Sequence, residues 1–116
     1  MRDDKENLIV KLSFEFALLI IEFSEILEKE KKYVIAKQIL RSGTSIGANI
    51  REAQNAESKA DFIHKLKISA KEADELEYWL LLCKSSKNYP YDENILLKLK
   101  EIIKILSKII ASSKKS

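Results

Sequence analysis

Proline occurs once in this chain, at Pro90, and glycine only twice, at Gly43 and Gly47, which leaves little material for the many turns of a β-rich domain. A single cysteine, Cys83, excludes an intramolecular disulfide. The leucines at 80–82 beside it predict a buried thiol, and a reducing cytosol is the natural home. The longest apolar stretch, Phe14 to Phe23, is broken by Glu15 and Glu22, well short of the ~20 residues that span a bilayer. No membrane helix is expected. The opening Met-Arg-Asp-Asp-Lys-Glu has neither the basic lead nor the apolar run of a secretory signal, so the expected location is cytoplasmic.

What remains is 116 residues, 46% of them apolar, enough for one domain with a real core and too few for two. The composition predicts an all-α fold. The formal charge of +3 is unevenly spread. Residues 1–30 hold 4 Lys/Arg against 8 Asp/Glu, a net of −4, whereas residues 31–116 hold 17 against 10, a net of +7. An acidic first helix followed by a basic remainder suits a nucleic-acid partner, or copies assembling head to tail.

The first helix is expected from Lys5 to Glu30, with Asp3 and Asp4 complementing its positive N-terminus. Leu8, Leu12, Phe16, Leu19, Phe23 and Ile26 form its main stripe. Phe14, Ala17, Leu18, Ile20 and Ile21 make a second apolar face, which a neighbouring subunit covers, unless the helix is deeply buried in its own bundle. After the charged turn at 28–32 a second helix runs from Tyr33 to about Asn55. Ser58 with Asp61 reads as a capping box that opens a third helix reaching Ser85, lined by Phe62, Leu66, Ser69, Ala73, Leu76, Leu80 and Cys83. The loop at 85–90 precedes Asp92, the cap of a fourth helix with Ile95, Leu99, Ile102, Leu106 and Ile109 inward. It is expected to end near Ala111, so that residues 1–111 form an antiparallel up-down-up-down four-helix bundle and residues 112–116 a basic, disordered tail.

The unusual stretch is AKQILRSGTSIGANIREA, Ala36 to Ala53, which holds both glycines. Gly, Thr, Ser and Gly so close together would ordinarily signal a loop. Yet Ile35, Ile39, Gly43, Ile46, Ile50 and Ala53 continue through it at spacings of three and four, and a loop would break that register. The spacing predicts one long helix with Gly43 and Gly47 at i and i+4, where a neighbouring helix can approach the backbone. Each glycine costs a helix interior about 1 kcal/mol relative to alanine, so close packing must compensate.

This stretch also carries a resemblance. QILRSGTSIGANIREA, followed by SKADFIHKLKISAKEADELEYWL, resembles the small four-helix-bundle proteins encoded in intervening sequences of bacterial large-subunit ribosomal RNA, a family that includes the accessory protein of diversity-generating retroelements. Ser45, Ile46, Ala48, Asn49, Ile50 and Glu52 fall on the family's S-I-x-A-N-I-x-E core, and Glu75, Leu76 and Glu77 on its E-L-E. Arg51 stands where many members have alanine, and Leu40 where many have arginine. The resemblance implies a ring of bundles, most simply a homopentamer, with RNA or DNA and, in the retroelement branch, a reverse transcriptase as partners.

The chemistry the residues themselves offer is thin. His64 with Asp61 at i and i+3 is half of a Glu-x-x-His-like pattern and supplies no metal site alone; a surface histidine is the simpler reading. No nucleophilic triad is present, and GTSIG lacks the lysine and spacing of a phosphate-binding loop, so neither enzymatic activity nor a cofactor is expected. Glu72, Glu75 and Glu77 are expected to pair with Lys71, or with Arg41 across helices. Arg41, Ser45, Asn49 and Glu52 form a polar stripe that, with Gly43, Ile46 and Gly47, fixes the register of a helix or subunit contact. Three cationic sets spaced by four, Lys37 with Arg41, Lys67 with Lys71, and Lys100, Lys104 and Lys108, are the candidates for phosphate contacts. The alternative is a lysine face that is merely solvated, on a structural scaffold that binds another protein and no nucleic acid.

Overall fold

The computed structural model describes residues 4–115, with side chains described for residues 8–115. Four helices account for nearly all of them: α1 (Asp4–Lys29), α2 (Tyr33–Ala53), α3 (Lys59–Ser85) and α4 (Glu93–Lys115). Capping by Asp3 lies outside the described residues, and Asp4 is the first residue of α1. Each helix packs on the next in sequence and α1 closes on α4, whereas among the described residues the backbones of α1 and α3, and of α2 and α4, do not approach one another, so the helices sit at the corners of a square.

The helix boundaries follow from local chemistry. Ser58 accepts a hydrogen bond from the Asp61 N–H at 3.0 Å, and the Asp61 carboxylate reaches back to the N–H of Glu57 at 3.3 Å. That is a capping box whose return bond lands one residue early. Asp92 accepts from the Asn94 N–H at 2.9 Å at the start of α4. The chain leaves α1 through the expected charged turn. Lys32 N–H bonds to Leu27 C=O and Lys31 N–H to Glu28 C=O, both at 2.9 Å, with Lys31 left-handed at φ 63°. These are the two bonds of a Schellman motif, built on a lysine where glycine is usual.

The core consists of one inward line per helix. On α3 and α4 it is the expected line, with Phe62 only partly buried and Leu96 added. On α1 the expected stripe is rotated. Ile9, Phe16, Ile20, Phe23 and Leu27 are buried together with Ser13 and Ser24, whereas Leu8 and Ile26 are about half exposed. Ile20, assigned from sequence to a second face, therefore belongs to the core. The cause is α2: Gly43 and Gly47 offer no side chains, so α1 turns Ile20 and Ser13 into the space they leave. The tail expected beyond Ala111 is instead helical through Lys115, where Lys114 and Lys115 complement the negative helix end. Ser116 lies outside the described residues.

Candidate nucleic-acid interface

The glycine-containing stretch is helix throughout, and its two glycines face α1. A Cβ built on Gly43 would lie 2.6 Å from Ile20 Cγ2, and one on Gly47 would lie 3.2 Å from the Ser13 carbonyl oxygen. The opposite seam, toward α3, is closed by Ser69, whose buried hydroxyl donates to the Ile46 C=O at 2.9 Å. Ile46 itself is fully buried.

The polar stripe on α2 behaves differently from expectation at two of its four positions. Ser45 donates to Arg41 C=O at 2.7 Å and Asn49 to Ser45 C=O at 2.8 Å, both within their own helix. A short hydroxyl or amide one turn above a carbonyl finds that partner before it can reach another helix. The longer side chains do cross: Arg41 donates to Glu72 at 3.0 Å and also pairs with Glu75, while Lys65 of α3 meets Glu52 at 2.9 Å. Glu75 further accepts from the Trp79 indole N–H at 3.0 Å. The Arg41 guanidinium is thus already committed to two carboxylates. Lys37, four residues earlier, lies in the groove between α1 and α2.

The remaining cations gather on the far side. Lys67 and Lys71 on α3 and Lys100, Lys104 and Lys108 on α4 are all exposed. Among the described residues none of the five makes an ion pair within 4.0 Å. Lys114 stands so close to Lys67 that its ammonium pushes the Lys67 pKa down. Two like charges held side by side favour a bound anion. Lys114 was missed because sequence reading placed it in a disordered tail; continuing the i, i+3/i+4 register of α4 past Ala111 would have found it.

The other titratable residues add little chemistry. The Cys83 thiol is buried, and burial raises its pKa. His64 is exposed on α3, and among the described residues no three His, Cys, Asp or Glu side chains come together as a metal site. Nor is any described helix long and apolar enough to cross a membrane.

A family profile described as "23S rRNA-intervening sequence protein" matches residues 5–112. The chain belongs to that family. The chain is also similar to a crystal structure described as a protein with unknown function from the S23 ribosomal protein family of Bacteroides thetaiotaomicron VPI-5482. The two are 49% identical over 92% of this chain and 98% of that one, with a TM-score of 0.87. No curated protein matches. The 23S rRNA-intervening sequence proteins are thus matched across all four helices, well beyond the Gln38–Leu80 stretch that first carried the resemblance.

Proposed function

We propose that this chain is a binding protein rather than a catalyst: an up-down-up-down bundle that assembles into a ring, most simply of five copies, and holds RNA or DNA by its phosphates. The observation that carries the nucleic-acid reading is the cationic surface of α3 and α4, where Lys67, Lys71, Lys100, Lys104 and Lys108 face solvent and make no ion pair within 4.0 Å among the described residues, and Lys114 joins Lys67. Lysines of this kind grip phosphate without reading bases, and repetition around a ring multiplies a weak grip. Arg41 and Lys37 are poorer candidates, one bound to Glu72 and Glu75, the other on the opposite side of the bundle.

The test is a titration of single-stranded and structured RNA and of DNA at two salt concentrations. Affinity should fall with a log–log slope of about −0.7 per phosphate neutralised on a single strand, with little dependence on sequence. Replacing Lys67, Lys71 and Lys108 by glutamine should flatten the slope. No binding by wild-type protein at low salt would end the reading and favour a protein scaffold, for which the exposed Phe14, Leu18 and Tyr33 on α1 and α2 already speak.

A further inference from the structure

The outward surface of α1 and α2 is apolar and grooved. Near the turn between them a groove of about 390 Å³ is walled by Ile21, Tyr33 and Leu40, all at least 40% exposed, with Glu25 and Glu28 on its rim. Ser24 lies at its floor, only 4% exposed, and its hydroxyl has no hydrogen-bond partner. Buried hydroxyls are seldom left so.

The opposite side of the bundle carries exposed leucines at the same end. The α1/α2 turn and the α3/α4 loop lie together, since the Lys32 ammonium sits 4.7 Å from the centre of the Tyr89 ring. Lys84 and Glu93 join α3 to α4 there at 3.3 Å. One helical turn from that bridge, on each helix, a leucine points outward: Leu81, 43% exposed, and Leu97, 57% exposed. Lys100, three residues beyond Leu97 on the same face, is exposed, whereas Lys98 lines the groove between α1 and α4 with Glu15 and Glu101. The charges of the two sides are complementary, because α1 has six acids and three lysines whereas α4 has two acids and six lysines.

We infer that the groove between α1 and α2 receives a second copy of this chain, which inserts Leu81 and Leu97 and sets Lys100 against Glu25 and Glu28. The inference rests on the reading that copies self-assemble and adds which surfaces meet. Groove and leucines are different surfaces of one chain, so the contact is head to tail and propagates from copy to copy until it closes. Both surfaces lie at the loop end, so successive copies stand side by side with their loops together, as closure requires. The cations nearer the other end, Lys67, Lys71, Lys108 and Lys114, stay outside the contact and free for phosphate. An apolar knob in a groove with a charged rim supplies both area and direction.

Cross-linking separates the possibilities. In a Cys83→Ala background, Ile21→Cys and Leu97→Cys are placed on the groove and on the knob, and a short bis-maleimide is added. Neither variant alone should give a covalent dimer, co-expression of the two should give one, and the doubly substituted chain should give a ladder ending at the size of the assembly. Self-cross-linking of Leu97→Cys, or no cross-link in an assembly whose native mass is unchanged, overturns the contact and leaves self-assembly standing. A monomeric wild-type protein at micromolar concentration overturns both. Because Glu25, Glu28 and Lys100 are exposed, Glu25→Lys with Glu28→Lys should weaken assembly by at least about tenfold while the dissociated protomer keeps its helical circular dichroism. Adding Lys100→Glu should restore it in part; failure of restoration in folded protein counts against the pairing.

Discussion

The seams on the two sides of the bundle are built by opposite means. Between α1 and α2 the helices meet through missing side chains, Gly43 under Ile20 and Gly47 under the Ser13 backbone, and Ser69 of α3 bonds directly to the α2 backbone. Around α4 they meet through large ones, with Ile95, Leu96, Leu99, Ile102, Leu106 and Ile109 buried in succession. A glycine seam fixes axial register, since only one sliding position places a bare backbone opposite a bulky neighbour. A leucine and isoleucine seam supplies burial, roughly 1.5–3 kcal/mol per side chain, and tolerates more change in shape. The demanding geometry thus lies on α2, whereas the exposed lysines of α4 occupy an outer face with no packing to satisfy.

If this contrast holds, α4 should break when atoms are removed and α2 when they are added. Leu99→Ala, at a fully buried position, should cost about 2–5 kcal/mol by chemical denaturation. Gly47→Leu should cost about 1–3 kcal/mol or more, because its Cβ would press on α1 backbone that cannot rotate aside. Gly43→Ala gains about 1 kcal/mol of helix propensity but places a methyl group 2.6 Å from Ile20 Cγ2, so a net loss of stability is expected. In an Ile20→Ala background the same Gly43→Ala change should become stabilising. Equal effects in both backgrounds would show that the Gly43 contact does not set the register.

The α4 side also contains the pair whose titration is predicted to matter. Tyr91 donates to Glu93 at 2.6 Å, and its pKa is pushed up to about 12, first by burial and then by that carboxylate. Glu93 is shifted down by the same phenol and by Lys84. The folded protein thus keeps the Tyr91 proton where the unfolded chain, near 10, has lost it. This contribution to stability is complete below about pH 10 and disappears as pH rises toward 12. Glu93 acts in the other direction, its contribution being present above pH 4.5 and lost as pH falls through its lowered folded value. An ultraviolet titration of phenolate formation should show one late-ionising tyrosine that Tyr91→Phe removes.

Much of this was legible in the chain. Periodicity alone carried the helix through GTSIG, because Ile39, Ile46 and Ile50 kept their spacing and are now buried. The inner lines of α3 and α4 were equally readable, each having a single apolar stripe. On α1 the signal was ambiguous, since apolar residues surround most of the helix and periodicity cannot say which arc faces inward; the glycines of another helix decided it. The lysine sets were visible as spacing, yet their fates diverged through tertiary partners no local pattern reveals: Arg41 found Glu72 and Glu75 some thirty residues on, and Lys67 found Lys114.

The smallest effect concerns how the chain enters the two kinds of helix. Each is preceded by a residue in the left-handed region, Lys31 at φ 63° before α2 and Asn88 at φ 65° before α4. Asparagine tolerates that conformation because its short amide can bond locally, whereas lysine bears the steric cost of its Cβ, roughly 1–2 kcal/mol. Glycine removes this cost but loses about 0.5–1 kcal/mol of chain entropy on ordering. The two Schellman bonds at Lys31 and Lys32 are made by backbone alone and survive the change. Lys31→Gly should therefore stabilise the protein by about 0.5–1 kcal/mol, and Asn88→Gly should leave it within about 0.5 kcal/mol of wild type. Destabilisation by Lys31→Gly would mean that the Lys31 side chain contributes something at the α1/α2 turn beyond its backbone, and that the turn is held by more than its two hydrogen bonds.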